Sequence, residues 1–428
     1  MSYITIPAGA MLSGTIQAIS SKSDVHRLLI CASLCPEPVK IKCFCADSKD
    51  ILATSECLAA LGAKIEFSDT EIRVIKPIDM ANVPENARLF CNESGSTARF
   101  LLPLASYICA GATLDGAGKL PERPFDDLCR CLEAMGAVFD SHSLPITVKK
   151  CAAPSGYFEI SGNVSSQYLT GLLFLLPLCN ANGIKLTTAL ESAGYVRLTA
   201  DAMRHFGVEI TRNGDIFSAF GKYTAPESGI VKAEGDWSNA AFWLCSPANG
   251  NSVTVTGLDI NSSQPDKGVC RILRSMGFEV TSDGGAVTSK APAKVRAVKF
   301  DAREIPDIVP ILALRAAASD GVTVITGVKR LRIKESDRVK SVCEMIEALG
   351  GKASSDEDSM TIYGSGTLSG GTVDSFNDHR IAMSAAIGAA FCTGDVKINS
   401  YKAVEKSYPM FFEHYKMLSG INELNCEN

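Results

Sequence analysis

A short phrase of the form apolar-x-x-(Leu/Met/Phe)-Gly returns along this 428-residue chain at Leu58–Gly62, Leu132–Gly136, Met203–Gly207, Leu273–Gly277 and Ile346–Gly350, with a weaker copy at Tyr415–Gly420. The glycines stand about seventy residues apart, longer than solenoid periods and long enough for a full α/β unit. Alternating stretches such as Ala63-Lys64-Ile65 and Val208-Glu209-Ile210 follow the first five. The phrase therefore predicts a helix closed by a left-handed glycine and then a strand, and the chain reads as six units, each with at least two helices and several strands. A single core does not serve a chain of this length, so two domains of three units are the natural division. Glu234-Gly235-Asp236 falls where the third unit gives way to the fourth, and Ser13-Gly14 opens the first passage from strand to helix.

Composition narrows the class. Hydrophobic residues make up 46% and charged residues 21%, as in an ordinary globular protein, and the net charge of −5 argues against a nucleic-acid binder held by a general basic surface. An anionic ligand must therefore meet a local cluster of cations. The 16 cysteines are scattered without paired C-x-x-C knuckles, which suits buried thiols in a reducing cytosol better than a disulfide scaffold or a zinc site. The start, Met1-Ser2-Tyr3-Ile4, lacks the features of a signal peptide, and the apolar run Gly171–Leu178 is too short to span a bilayer. A cytoplasmic protein, with no membrane partner, is the expectation.

A second regularity is chemical. Polar or charged clusters stand just before apolar helical patterns: Ser20–Ser23, Asn92–Thr97, Ser165–Gln167, Pro306-Asp307, Lys334–Arg338, Asn377–Arg380 and Lys406-Ser407. Each cluster alone reads equally as a helix N-cap. Caps do not account for the basic residue within a turn of so many of them: Lys22, Arg27, Arg99, Lys334, Arg338, Arg380 and Lys406. Helix N-termini with added cations form a trap for several negative groups, so a substrate pair carrying phosphate and carboxylate is implied.

These ordered motifs resemble the 3-phosphoshikimate 1-carboxyvinyltransferase (5-enolpyruvylshikimate-3-phosphate synthase) family over nearly the full length. The matching residues are Ser21-Lys22-Ser23 with Arg27, Gly95–Arg99, Glu122-Arg123-Pro124, Ser165-Ser166-Gln167, Ser192 and Tyr195, Ile305-Pro306-Asp307, Lys334–Arg338, Asn377–Arg380 and Lys406. The resemblance implies an α/β fold of two similar domains, each of three βαβαββ units (an inside-out α/β barrel), with residues 21–235 as one domain, 1–20 and 236–428 as the other, and an active site in the interdomain cleft. It implies transfer of an enolpyruvyl group from phosphoenolpyruvate to the 5-hydroxyl of shikimate 3-phosphate, without metal or organic cofactor. Glyphosate is the implied inhibitor, and a monomer is the default.

Residue by residue, the resemblance assigns Lys22, Gly95, Arg123, Gln167, Arg338, Arg380 and Lys406 to phosphoenolpyruvate. It assigns Lys22, Ser23, Arg27, Ser165, Ser166, Gln167, Ser192, Tyr195, Asp307 and Lys334 to shikimate 3-phosphate. Forked Arg donors suit carboxylate and phosphate, and Gly95 suits a close backbone approach, although a simple turn glycine reads the same way. Tyr195 is equally read as a core aromatic. Addition followed by elimination needs two oppositely tuned groups: Asp307 and Lys22 at the hydroxyl, and Glu335 as proton donor to C3. Lys334 and Arg338 would lower the Glu335 pKa and burial would raise it. Lys334 is expected to stabilise charge. His379 either assists proton traffic and phosphate departure or is structural.

The sister family that uses UDP-N-acetylglucosamine carries a loop cysteine absent from Ala117–Glu122. A non-catalytic phospho-ligand sensor is opposed by the presence of Lys22, Asp307 and Glu335. Arg330 and Phe100 depart from the family pattern, at the shikimate phosphate contact and after Arg99 respectively. Charge repulsion among the cations predicts domains that close around both ligands.

Overall fold

A computed structural model describes residues 2–427. The chain forms two compact units, Lys22–Ala233 and a second made of Met1–Ser21 with Glu234–Asn428. The chain thus passes from one to the other at Ser21-Lys22 and again at Ala233-Glu234.

The first unit contains α1 (Lys22–Leu34), α2 (Lys49–Ala60), α3 (Gly95–Ile108), α4 (Asp126–Glu133), α5 (Ser166–Leu175) and α6 (Ala193–Arg204). The second contains α7 (Trp237–Cys245), α8 (Val269–Ser275), α9 (Val309–Ala317), α10 (Arg338–Ala348), α11 (His379–Gly388) and α12 (Phe411–Ser419). Each unit holds three four-stranded sheets of one plan, in which the first two strands are parallel and the rest antiparallel. The sheet Arg88–Phe90, Thr113–Asp115, Ile146–Lys150, Val138–Phe139 shows it without interruption. With α3 and α4 between its strands it is the expected βαβαββ unit.

The plan is permuted where the chain changes unit. Ile230–Lys232 pairs in parallel with Val39–Lys42, and Gly14–Gln17 with Ser252–Thr256, so a late strand completes the first sheet and an early strand completes the fourth. Tyr3–Ile6 is inserted between Val396–Asn399 and Asn425–Glu427. All six sheets stay open and four-stranded among the described residues; none closes into a barrel.

The repeated glycines sit where the phrase places them. Gly62, Gly136, Gly207, Gly277 and Gly350 all have positive φ directly after α2, α4, α6, α8 and α10, and Gly420 caps α12. A side chain there would be strained, which is why glycine recurs.

Helices divide into two kinds. In α7, α9 and α11 every residue is buried, and α1, α3 and α5 are buried over almost their whole length. An all-round apolar helix belongs in a core. Their close packing is visible at Gly171 of α5, where a Cβ would fall 2.3 Å from the Arg99 carbonyl oxygen of α3. Polar residues at the starts of such helices cannot be a solvated face, and buried charges there require partners. Among the described residues no helix is long and apolar enough to cross a membrane. The cysteines are free thiols, with Cys426 exposed.

Candidate active site

Several of the inner helices begin two or three residues earlier than the apolar patterns suggest, so motif residues lie in first turns rather than before them. His379 and Arg380 open α11, Gly95 to Thr97 open α3, and Ser166 and Gln167 open α5. Ser94 accepts from the Thr97 N–H at 3.2 Å, Ser165 from Gln167 at 3.3 Å and Asp378 from Arg380 at 2.9 Å. The cap reading and the site reading are therefore both realised, by adjacent residues.

In the first unit the hydrogen bonds of Arg27 and Arg99 go to neutral groups. Arg27, 3% exposed, donates from Nε to Thr199 Oγ1 at 2.8 Å, from Nη2 to the Tyr195 carbonyl at 3.1 Å and from Nη1 to the Ser23 carbonyl at 2.5 Å. Its guanidinium lies 5.1 Å from the Phe100 ring centroid, so Phe100 supports it. Burial draws the Arg27 pKa down to about 10, against the pull of Asp24. Arg99 bridges α3 to α5 through Gln167 Oε1 at 2.8 Å, and Gln167 Nε2 donates to Ser96 at 2.9 Å. Lys22 pairs with Asp50 at 2.7 Å. Ser192 is buried in a left-handed turn just before α6, and Tyr195 is half-buried, not a core aromatic.

Gly95 has a more specific reason than close approach to a phosphate. A Cβ there would stand 2.6 Å from Arg123 Nη1 and 2.8 Å from its Cζ, so the guanidinium of Arg123 lies flat on the start of α3 because position 95 has no side chain. Beneath this shell, His26 Nδ1 meets Thr54 at 2.8 Å and Thr54 meets Thr97 at 2.6 Å. Burial first, then Lys22 and Arg27, hold the His26 pKa well below its usual value.

In the second unit the cations are held by carboxylates. Arg338, 1% exposed, reaches Asp378 (Nε, 2.8 Å), Glu335 (Nη2, 2.8 Å) and Asp307 (Nη1, 2.8 Å). Although burial opposes its charge, these three acids raise its pKa well above the ordinary value. Lys334 lies 3.5 Å from Asp307 and Arg380 Nη2 3.8 Å from it. Burial lowers the Lys334 pKa, aided by Arg338. Lys406 donates to the Asn377 carbonyl at 2.6 Å, which ties it to the start of α11. His379 is buried beside Asp378, and Arg330 is half-buried in the short helix Lys329–Ile333.

Sequence reasoning missed several partners. Asp50 pairs with Lys22, Thr199 with Arg27, and Asp378 organises both Arg338 and α11. Asp266 was also missed: it is buried, accepts from Ser238, and the Ser238 carbonyl lies 3.5 Å from Arg380 Nη1. Burial, then the charge of Asp307, pushes its pKa up to about 7, with Arg380 opposing. Pro265-Asp266 repeats the phrase Pro306-Asp307 one unit earlier, a signal that was present in the sequence.

The arrangement offers cation donors for two anionic groups, plus three carboxylates on one guanidinium. Residues 6–415 match the EPSP synthase (3-phosphoshikimate 1-carboxyvinyltransferase) family. A 3-phosphoshikimate 1-carboxyvinyltransferase of Clostridium kluyveri is 38% identical over 426 residues, covering 98% of each chain. One from Clostridium acetobutylicum is 39% identical over 416 residues, covering 96% of each. Among solved structures, the EPSP synthase of Acinetobacter baumannii superposes with a TM-score of 0.80 at 23% identity over 100% of both chains. The enolpyruvyl transferase NikO of Streptomyces tendae gives 0.76 at 20% identity over 100% of this chain and 99% of that one.

Proposed function

The chain belongs to the EPSP synthase (3-phosphoshikimate 1-carboxyvinyltransferase) family, and on that premise we propose how its residues divide the transfer of an enolpyruvyl group from phosphoenolpyruvate to the 5-hydroxyl of shikimate 3-phosphate. Arg27 takes the ring carboxylate, because its hydrogen-bond partners are neutral. Ser23, Ser165, Ser166, Gln167, Ser192 and Tyr195 take the hydroxyls and phosphate. Arg123, placed by Gly95, joins Lys22, Gln167, Arg338, Arg380 and Lys406 on the carboxylate and phosphate of phosphoenolpyruvate.

The chemistry is addition, then elimination. Asp307, assisted by Lys22, accepts the hydroxyl proton as oxygen bonds to C2, and Glu335 protonates C3, leaving a tetrahedral adduct with a methyl group. Glu335, left as a carboxylate, then takes a proton back from that methyl, the C2–O bond to phosphate breaks, and the enol ether forms. Lys334 stabilises charge throughout, and His379 assists phosphate departure.

The observation that carries this reading is the single guanidinium of Arg338, hydrogen-bonded to Asp307 at 2.8 Å and ion-paired with Glu335 at 2.8 Å, so that base and acid share one cation. Hydrogen exchange at C3 of phosphoenolpyruvate in D2O tests it. Glu335→Gln should abolish exchange and lower turnover by about 10²–10⁴-fold with the fold intact. Unchanged exchange would remove Glu335 from the role. Because glyphosate carries a phosphonate and a carboxylate, we also propose that it competes for the phosphoenolpyruvate cations.

A further inference from the structure

An arginine with no acid opposite it closes the last turn of α9. Arg315 is 3% exposed, and its guanidinium lies 4.3 Å from the ring centroid of Phe391 and 5.2 Å from that of Phe278. Its Nε is shielded from solvent and has no acceptor, and no described carboxylate pairs with it. Most buried arginines are paired, so this one needs a reason.

The helix plan does not supply one. Arg315 is the seventh residue of α9, and the seventh residues of α3, α5 and α11 are Leu101, Leu172 and Ala385, all fully buried. Stacking on two rings and the negative end of the α9 dipole explain how a cation is tolerated. They leave its N–H donors unspent.

Arg315 lines a cavity of about 550 Å³, within the range that holds small organic ligands. Lys294, Thr367, Phe391 and Met11 share its wall. Asp320 also lines it, but its carboxylate is paired with Lys294 at 3.0 Å, and the Ser319 hydroxyl is committed to the Ala316 carbonyl at 2.6 Å. Burial has already drawn the Arg315 pKa down to about 10, in line with a charge that lacks a counter-ion. Asp307 precedes the first turn of α9 and Arg315 stands in its last, so the cavity is separate from the residues assigned to the reaction.

We propose that this cavity binds a small oxyanion, a carboxylate or a phosphate, held by Arg315. The test reads the site itself: the Arg315 Nε–H resonance of the full chain, assigned by its absence from Arg315→Met, during separate titrations with inorganic phosphate, acetate, benzoate and chloride. A saturable shift with phosphate alone assigns a phosphate site, and one with acetate or benzoate a carboxylate site. The same anion should raise the thermal midpoint of wild type, raise it less in Arg315→Lys, and leave Arg315→Met unmoved. Turnover of Arg315→Met without added anion should stay within about twofold of wild type, since a factor of two is well under 1 kcal/mol. No saturable shift up to about 10 mM of any oxyanion, or an equal response to chloride, would overturn the proposal. Should Arg315→Met fail to fold, the wild-type resonance and Arg315→Lys still decide it.

Discussion

Arg27 and Arg338 are both buried cations beside inner helices, one in each unit, and their surroundings are opposite. Arg27 is met by a hydroxyl, two carbonyls and a ring face; Arg338 is met by three carboxylates. Burial lowers the pKa of the first guanidinium to about 10. The second shares its charge among three acids, which raise its pKa. Similar repeats, with similar caps, thus surround one buried guanidinium with neutral hydrogen-bond partners and the other with carboxylates.

The largest break should come from Arg338→Met. It strands Asp378, which is 0% exposed, beside Glu335 and Asp307, and loss of one member of a buried ion cluster costs about 3–5 kcal/mol, read as a fall in the urea midpoint. An additional Asp378→Asn substitution should recover part of the loss. Full additivity of the two changes would contradict the picture of one cluster.

The next contrast is in pH. Asp266 has a folded pKa of about 7, above its ordinary value, so the folded state binds its proton more tightly. That contribution is present below about pH 4 and is lost as pH rises through 7, with a size on the order of 2–4 kcal/mol. Asp266→Asn should therefore flatten the alkaline side of the stability profile. His26 behaves oppositely. Its folded pKa lies well below 6.5, so the stability it contributes is present above that pH and is lost as pH falls beneath it. The acid arm should soften in His26→Asn. Equal profiles for both variants and wild type would erase the contrast.

Smaller effects complete the series. Arg27→Met leaves neutral acceptors behind, not charges, and should cost about 1–3 kcal/mol, less than Arg338→Met. Gly95→Ala should barely alter stability, because the atom met by the new Cβ is the mobile end of Arg123. It should raise the KM for phosphoenolpyruvate by about tenfold, roughly 1.4 kcal/mol, and leave that for shikimate 3-phosphate unchanged. A shift in the second KM alone would mean that Arg123 serves the other substrate.

Much of the fold was legible because it is written locally. A left-handed glycine after a helix is a one-residue constraint, and Gly62, Gly136, Gly207, Gly277 and Gly350 announce the units by themselves. The candidate site was legible only in part. Cations at helix starts are local signals, but what each touches is not. Arg27 finds Thr199 at a separation of 172 residues and Arg338 finds Asp378 at 40, distances across which sequence pattern carries no pairing information. The flat seat of Arg123 on Gly95 was invisible for the same reason: a glycine before a helix looks alike whether a turn, a phosphate or a guanidinium requires it. The permuted strand Ile230–Lys232 belongs with this group, since its partner Val39–Lys42 opens the unit that it closes.

The most direct test is phosphate release from the purified protein given phosphoenolpyruvate with either shikimate 3-phosphate or UDP-N-acetylglucosamine. Release with shikimate 3-phosphate only, at a rate that Glu335→Gln nearly abolishes, is the predicted result. Release with the nucleotide sugar, or silence with both acceptors from a folded protein that binds shikimate 3-phosphate, would contradict it.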